Sequence, residues 1–219
     1  MSIVTLSWEE FLQEATEFQK ISDSLGDTWT LCKKICTVNL ILQDEQEGNA
    51  YLIYEQKIIN TVDQKSDCDA LEETNDCIVH EIAALPTPSN DLLKIEYHII
   101  YSISYQVPVM YFRIYRSDGS MLCIEDAWRI FRSYSSNTSN TNSVDATAQR
   151  TVADMLSIMT QLDHPVLGKP YIAIHPCRTA ELLAQAGSSR NRILTFISLM
   201  GPYVQLNLRN EYGKEYSDS

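Results

Sequence analysis

The most constraining feature of this sequence is a pair of adjacent segments, residues 92–105 and 107–115, that are rich in Ile, Val and Tyr. β-branched and aromatic residues favour extended strands. A link as short as the Gln-Val-Pro junction at 106–108 predicts that the two strands pair antiparallel. We therefore expect the chain to fold around an antiparallel hairpin, which a tight Asp-Gly turn at 118–119 follows.

Helices are predicted on both sides of this hairpin. Residues 7–10 (Ser-Trp-Glu-Glu) have the form of a capping box, and the spacing of the apolar residues after them predicts an amphipathic helix over about 8–21. Further helices are predicted at about 125–133, 150–162, 180–186 and 190–200, and further strands at 29–42, 51–62 and 170–174. This order indicates an α+β fold with helices packed on one antiparallel sheet.

The chain is interpreted as a single domain over residues 1–219. It is 44% hydrophobic and 21% charged, which is sufficient for a sizeable core, and no low-complexity spacer divides it. Residues 63–91 hold eight carboxylates against one lysine and predict an acidic loop, either a solvated insertion or a docking site for a basic partner. Residues 133–147 are mostly Ser, Asn and Thr and predict a mobile loop, and a polar tail ends the chain.

The charge excludes several classes of partner. A net charge of −12 opposes binding to nucleic acid and to anionic membrane surfaces. The N-terminus lacks the pattern of a signal peptide, and no run of about 18 apolar residues predicts a membrane span. We expect a cytoplasmic protein whose six cysteines stay reduced. No two close Cys pairs have the spacing of a zinc site, so no metal and no cofactor are predicted.

Cys177 differs from the other cysteines in its position. It follows a predicted strand that Pro176 ends, and it precedes a predicted helix with Thr179 as its N-cap. The positive partial charge at a helix N-terminus favours a reactive thiolate, and Arg178 and His175 add to this bias. Each residue also has a plainer interpretation: Cys177 as a small half-buried side chain, His175 as an ordinary loop histidine and Thr179 as a helix cap. The local signatures of cysteine peptidases are absent.

The segment His175-Pro176-Cys177-Arg178-Thr179 resembles the HPCxT motif of the autophagy-related protein 10 family. The Tyr-Gln-Val-Pro junction at 105–108 and the His-Pro-Val-Leu-Gly-Lys-Pro run at 164–170 are similar to that family as well. The His-Pro-Cys triplet is shared with autophagy-related protein 3, whereas Thr two residues later and the strand junction are more specific. The similarity is good over about 92–182.

This resemblance implies an E2-like fold, similar to that of ubiquitin-conjugating enzymes, with an N-terminal helix and C-terminal helices on an antiparallel sheet. It also implies that Cys177 accepts the ubiquitin-like autophagy-related protein 12 as a thioester from the E1-like autophagy-related protein 7. The modifier would then pass to a lysine of autophagy-related protein 5 during autophagosome formation, without a separate ligase.

The resemblance and the chemistry together suggest which residues support that reaction. Attack on a thioester passes through an oxyanion that nearby donors stabilise. His175 and the amides around Cys177 are the nearest candidates, and the family also points to Tyr105. The plainer interpretation of Tyr105 is a packed strand aromatic, because strand parity places it on a face with Ile99, Tyr101 and Ile103. The alternative function is a non-catalytic E2-fold module that binds the modifier or its E1 through a sheet edge.

Overall fold

A computed structural model describes residues 3–34, 48–60, 91–137, 158–187 and 189–215. Most of the predicted acidic loop, residues 63–90, lies outside the described residues. So do residues 35–42 of the first predicted strand segment, residues 138–147 of the Ser/Asn/Thr loop and the end of the polar tail.

Within the described residues, six strands form one sheet in which all neighbours are antiparallel, in the order β1-β2-β3-β4-β6-β5. The strands are β1 Thr30–Lys33, β2 Ala50–Asn60, β3 Asp91–Ser102, β4 Val107–Tyr115, β5 Met159–Asp163 and β6 Pro170–Ile174. The predicted hairpin is confirmed, because β3 pairs with β4 from Lys94↔Tyr115 to Ser102↔Val107. The Asp-Gly turn follows it, with Gly119 at φ +83°.

The helices are α1 Trp8–Ser24, α2 Ile124–Asn137, α3 Thr179–Gln185, α4 Arg192–Met200 and α5 Glu211–Glu215, with 3-10 turns at Pro176–Arg178 and Gly201–Val204. The predicted capping box begins α1: the Glu10 N–H donates to Ser7 Oγ at 3.2 Å, and the Ser7 N–H donates to Glu10 Oε2 at 2.7 Å. The predicted α+β class is confirmed.

The two faces of the sheet differ in what covers them. On the helix face, Tyr97 of β3 and Phe112 of β4 are buried with Phe11 of α1, Phe131 of α2 and Phe196 of α4. The second face carries a smaller buried cluster, formed by Ile100, Val107, Val109, Tyr111, Tyr171 and Ala173. Burial of apolar area on the helix face supplies most of the driving force for folding.

The helix predicted over 150–162 is wrong for its last part. Residues 159–162 lie in β5, which pairs with β6 from Met159↔Ile174 to Asp163↔Pro170. A five-residue strand is too short for its alternation to be distinguished from helical spacing. Residues 150–157 lie outside the described residues.

The helix α2 is longer than predicted. It continues to Asn137 and so includes the first five residues of the stretch expected to be a loop from Ser133. Once a helical turn exists, each added residue gains a hydrogen bond at little further entropic cost, so a polar sequence can extend a helix that packing has started.

Candidate active site

Cys177 lies in the connection between β6, the last of the described strands, and the helix α3. The strand β6 ends at Ile174, and the His175 N–H donates to Ile158 O at 2.9 Å. Pro176, which has no N–H to donate, opens a 3-10 turn that runs into α3. Cys177 occupies the centre of this turn and is exposed. Its thiol is therefore accessible to a protein partner.

His175 caps the turn that carries the cysteine. Its Nδ1 accepts a hydrogen bond from the Cys177 N–H at 3.2 Å, as the side chain at the N-cap of the 3-10 turn. This bond assigns the neutral ring its proton on Nε2, which leaves the Nε2–H as a donor. His175 thus fixes the backbone of Cys177 and carries a second polar group beside it.

Thr179 does not cap α3, contrary to the sequence prediction. Arg178 holds the N-cap position without a side-chain hydrogen bond, and Thr179 is the first helical residue, 4% exposed. The 3-10 turn starts the helical segment closer to the strand, and His175 accepts the hydrogen bond of one N–H at that start, the N–H of Cys177. The cap that the sequence analysis assigned to Thr179 belongs to His175.

Tyr105 does not lie on the strand face that parity predicted. The strand β3 ends at Ser102, and Tyr101 is buried whereas Tyr105 is 44% exposed. Residues 103–106 form a turn in which Gln106 adopts φ +52° and donates its N–H to Ser102 O at 2.7 Å. Ile103 and Tyr105 continue the sequence alternation of β3 beyond its last paired residue. The strand was therefore predicted to end at residue 105, three residues too late.

The turn nevertheless brings Tyr105 to the cysteine segment. The Tyr105 and His175 rings meet edge to face, with centroids 5.7 Å apart and an interplanar angle of 81°. This geometry is favoured between aromatic rings. The β3–β4 turn and the β6–α3 junction therefore place Tyr105, His175 and Cys177 at one end of the sheet.

The N-terminal segment joins these two parts of the site, and sequence analysis did not identify it. The Leu6 N–H donates to Gln106 O at 2.8 Å, and the Val4 N–H donates to Ala180 O at 3.4 Å. The Leu6 carbonyl accepts from the Tyr101 hydroxyl at 2.8 Å. Residues 4–6 thus hold the Tyr105 turn and the start of α3 together, through backbone groups that leave no side-chain signature.

The charged residues next to the cysteine are weakly paired. Arg178 Nε lies 4.0 Å from Glu181 Oε2, and both side chains are about half exposed. Exposed pairs of this kind contribute little to stability. Both charges are therefore accessible to a partner that approaches Cys177.

The described part of the chain holds no group of three or more His, Cys, Asp or Glu side chains that could bind a metal ion. Among the described helices, none has the length and apolar character needed to cross a membrane.

Known proteins resemble this chain over nearly its whole length. Residues 10–211 match the family described as "Autophagocytosis associated protein, active-site domain". The chain is 31% identical to the ubiquitin-like-conjugating enzyme ATG10 of Homo sapiens, over 95% of this chain and 96% of that protein. It is 28% identical to the enzyme of the same name from Arabidopsis thaliana, over 87% of this chain and 90% of that protein. Tyr105, His175 and Cys177 all lie within the range matched by the family.

Proposed function

The chain belongs to the autophagy-related protein 10 (ATG10) family of ubiquitin-like-conjugating enzymes, and we propose that Cys177 is the residue on which it carries its modifier. The general activity follows from the family: an E2-like transfer of a ubiquitin-like protein in autophagy. The proposal adds the thioester, the named partners and the roles of individual residues.

The proposed reaction has two steps at one sulfur. In the first, the Cys177 thiolate attacks the thioester carbonyl carbon of the charged E1-like autophagy-related protein 7, and the E1 cysteine leaves as a thiolate. In the second, a neutral lysine amine of autophagy-related protein 5 attacks the Cys177 thioester of autophagy-related protein 12. Cys177 leaves as a thiolate, the nitrogen loses a proton, and an isopeptide bond remains.

The observation that carries this proposal is the exposed Cys177 in a turn capped by His175, whose ring is met by Tyr105 from the turn between β3 and β4. Transfer from one cysteine to another needs mainly a thiolate, whereas the tetrahedral oxyanion formed when lysine attacks needs hydrogen-bond donors that are already in place. His175 offers its Nε2–H and Tyr105 its hydroxyl, and their edge-to-face contact restrains both rings. Buried Thr179 supports the packing of α3 rather than the chemistry.

A charging assay tests the nucleophile. With E1, ATP and modifier, the protein should form a one-modifier adduct on a non-reducing gel that thiol reductant removes. Cys177→Ser should give a weaker, reductant-resistant oxyester, because an alcohol replaces the thiol. The matched control is Cys123→Ser, which changes another exposed free cysteine and should charge normally.

Two outcomes of this assay contradict the proposal. A reductant-sensitive adduct that persists in Cys177→Ser would assign the nucleophile to another cysteine. An intact, folded protein that binds modifier or E1 but forms no adduct would favour the non-catalytic binding module.

The second half of the same assay separates the supporting residues from the nucleophile. Tyr105→Phe removes only the hydroxyl, and His175→Asn removes the imidazole donor but keeps an oxygen that can cap the Cys177 N–H. Both variants should still load modifier, while discharge to the acceptor slows about tenfold, equivalent to ~1.4 kcal/mol in the barrier. Equal slowing of both steps would indicate a displaced cysteine turn, and unchanged discharge would leave both side chains with packing roles.

A further inference from the structure

Two buried histidines face each other on the second face of the sheet. His98 of β3 is 1% exposed, and His164, which follows β5, is 0% exposed. His98 Nδ1 lies 2.8 Å from His164 Nε2, and the ring centroids are 4.9 Å apart at 89°. Buried imidazoles need partners for both nitrogens, so the direction of each hydrogen bond can be worked out.

The hydrogen bonds around the pair run in one direction. His164 Nδ1 accepts from the backbone N–H groups of Val166 and Leu167, both at 3.1 Å, so the ring proton lies on Nε2 and donates to His98 Nδ1. The His98 proton must then lie on Nε2, which is 3.2 Å from Glu96 Oε1. This approach lacks the alignment of a hydrogen bond, so His98 Nε2 is held against the carboxylate by electrostatic attraction.

The ionisation of the surrounding groups agrees with this assignment. The contact with His98 and the hydrogen bond from the Tyr171 hydroxyl lower the pKa of the Glu96 carboxyl to about 2, although burial opposes the shift. Burial lowers the pKa of His164 to about 3, and the neighbouring His98 and Arg113 add to that effect. The carboxylate is therefore ionised and His164 neutral near neutral pH.

These groups connect the hairpin β5–β6 to the rest of the sheet. In the described residues, β4 pairs with β6 at Tyr111↔Ala173 and Phe112↔Ile172, a short ladder for the strand that leads to Cys177. The polar contacts supplement it: the Tyr171 hydroxyl donates to Glu96 Oε1 at 2.8 Å, and Arg113 donates to Pro170 O at 2.9 and 2.6 Å. The Arg113 guanidinium also lies 3.9 Å from the centre of the Tyr171 ring.

We infer that the chain His164–His98–Glu96 is a clasp that positions β6, and through it Cys177 relative to Tyr105. This inference rests on the proposed function of Cys177. The geometric reason is that Ala173 pairs with Tyr111, which pairs with His98, and that Cys177 follows Ala173 by four residues, just after β6 ends at Ile174. His98 and His164 are positioning residues in this inference, since they would act on Cys177 only through β6.

Protonation would break the clasp. A proton on His164 Nδ1 would face two backbone N–H donors, and a proton on His98 Nδ1 would face the donor on His164 Nε2. The titratable and charged side chains that interact with the pair are Tyr51 on β2, Glu96 on β3, Tyr111 and Arg113 on β4, and Tyr171 on β6. Next to these lie Cys32 on β1, which interacts with Tyr51, and Lys94 on β3, which interacts with Glu96. The one carboxylate among them lies against His98 Nε2, so a second proton on either Nδ1 finds no acceptor.

NMR of the full-length protein tests this proton assignment directly. With 15N-labelled histidine, His98 and His164 should both appear as neutral rings protonated on Nε2 at pH 7. A cationic ring, or a proton on Nδ1 of either residue, would overturn the assignment. This readout does not depend on enzymatic activity.

Positioning is tested with His164→Asn, whose side-chain oxygen can still accept from the turn amides but cannot reach His98. The amide resonances of Cys177 and Tyr105 should shift, and discharge of preloaded modifier should slow fivefold or more in a variant that circular dichroism shows to be folded. Tyr171→Phe removes only the hydrogen bond to Glu96 and should slow discharge two- to threefold. The matched control is Gln161→Ala, an exposed position on β5 that should change neither readout.

Different results of these experiments would overturn the clasp and the proposed function of Cys177. Unchanged Cys177 and Tyr105 resonances in a folded His164→Asn variant would overturn the clasp while leaving charging at Cys177 intact. A wild-type protein that never charges would overturn the proposed function, and the resonance shifts would still decide whether the histidine pair sets the position of Cys177.

Discussion

The two faces of the sheet carry alternate residues of the same strands, but the helix face is held by apolar packing whereas the second face also contains buried polar contacts. On β4, Phe112 points into the helix face, where it meets Phe131 with ring centroids 5.5 Å apart. Its neighbour Arg113 points to the second face, where it bonds the start of β6. Apolar packing is non-directional and mainly decides which elements meet. Directional polar bonds on the second face fix how β6 is aligned.

The largest effect is expected on the helix face. Phe112→Ala removes a fully buried ring between β3, β4 and α2, so the free energy of unfolding should fall by about 3–5 kcal/mol. Urea titration followed by circular dichroism measures this loss. The loss should be the same at pH 7.5 and pH 5.5, because no titratable group is changed. A loss below about 1.5 kcal/mol would mean that the helix face does not dominate stability.

A matched pair of Tyr→Phe substitutions compares the faces with the same chemical change. On the helix face, the Tyr101 hydroxyl donates to the neutral Leu6 carbonyl, and on the second face the Tyr171 hydroxyl donates to the Glu96 carboxylate, both at 2.8 Å. Hydrogen bonds to charged groups are stronger. Tyr171→Phe should therefore cost about 1.5–3 kcal/mol and Tyr101→Phe about 0.5–1.5 kcal/mol in the free energy of unfolding.

Urea titration of both variants under one condition gives this difference. The reverse order, with Tyr101→Phe the more costly, would show that burial of the hydroxyl outweighs the charge of its acceptor. Equal costs would remove the energetic distinction between the faces.

The helix face was largely predictable from sequence, whereas the second face was not. The capping box of α1 and the dense β-branched residues of β3 and β4 are local signals, and the structure confirms both elements. The pairing of His98 with His164 joins positions 66 residues apart, and each is a single histidine with no periodic pattern around it. Such a contact is set by the tertiary arrangement of β3 and the β5–β6 turn.

The candidate active site lies between these two cases. Cys177 was predicted to be reactive because Pro176 and the following helix are local sequence signals, and the resemblance supplied Tyr105 and the proposed reaction. The contact between Tyr105 and His175 depends on where β3 ends. That end is set by the positive φ of Gln106 and by the backbone bond from Leu6, neither of which alternation can reveal.

The smallest effect expected is a difference in pH dependence between the faces. The pKa of His164 is about 3 in the fold against an ordinary value of 6.5. Below pH 6.5, His164 therefore binds a proton in the unfolded chain but not in the folded chain. The free energy of unfolding falls for this reason as the pH decreases towards 3. The slope for one proton is at most about 1.4 kcal/mol per pH unit. Glu96, whose pKa is lowered from 4.5 to about 2, acts in the same direction but only below about pH 4.5.

The window between pH 6.5 and 5 therefore isolates the histidine contribution. Urea titrations across this window should show a shallower decline in His164→Asn than in the wild type, by about 1 kcal/mol per pH unit. Tyr101→Phe is the matched control from the helix face and should keep the wild-type slope, because it removes no group that titrates there. If His164→Asn keeps that slope too, His164 does not remain neutral in the fold, and the contrast between an acid-sensitive second face and an insensitive helix face fails.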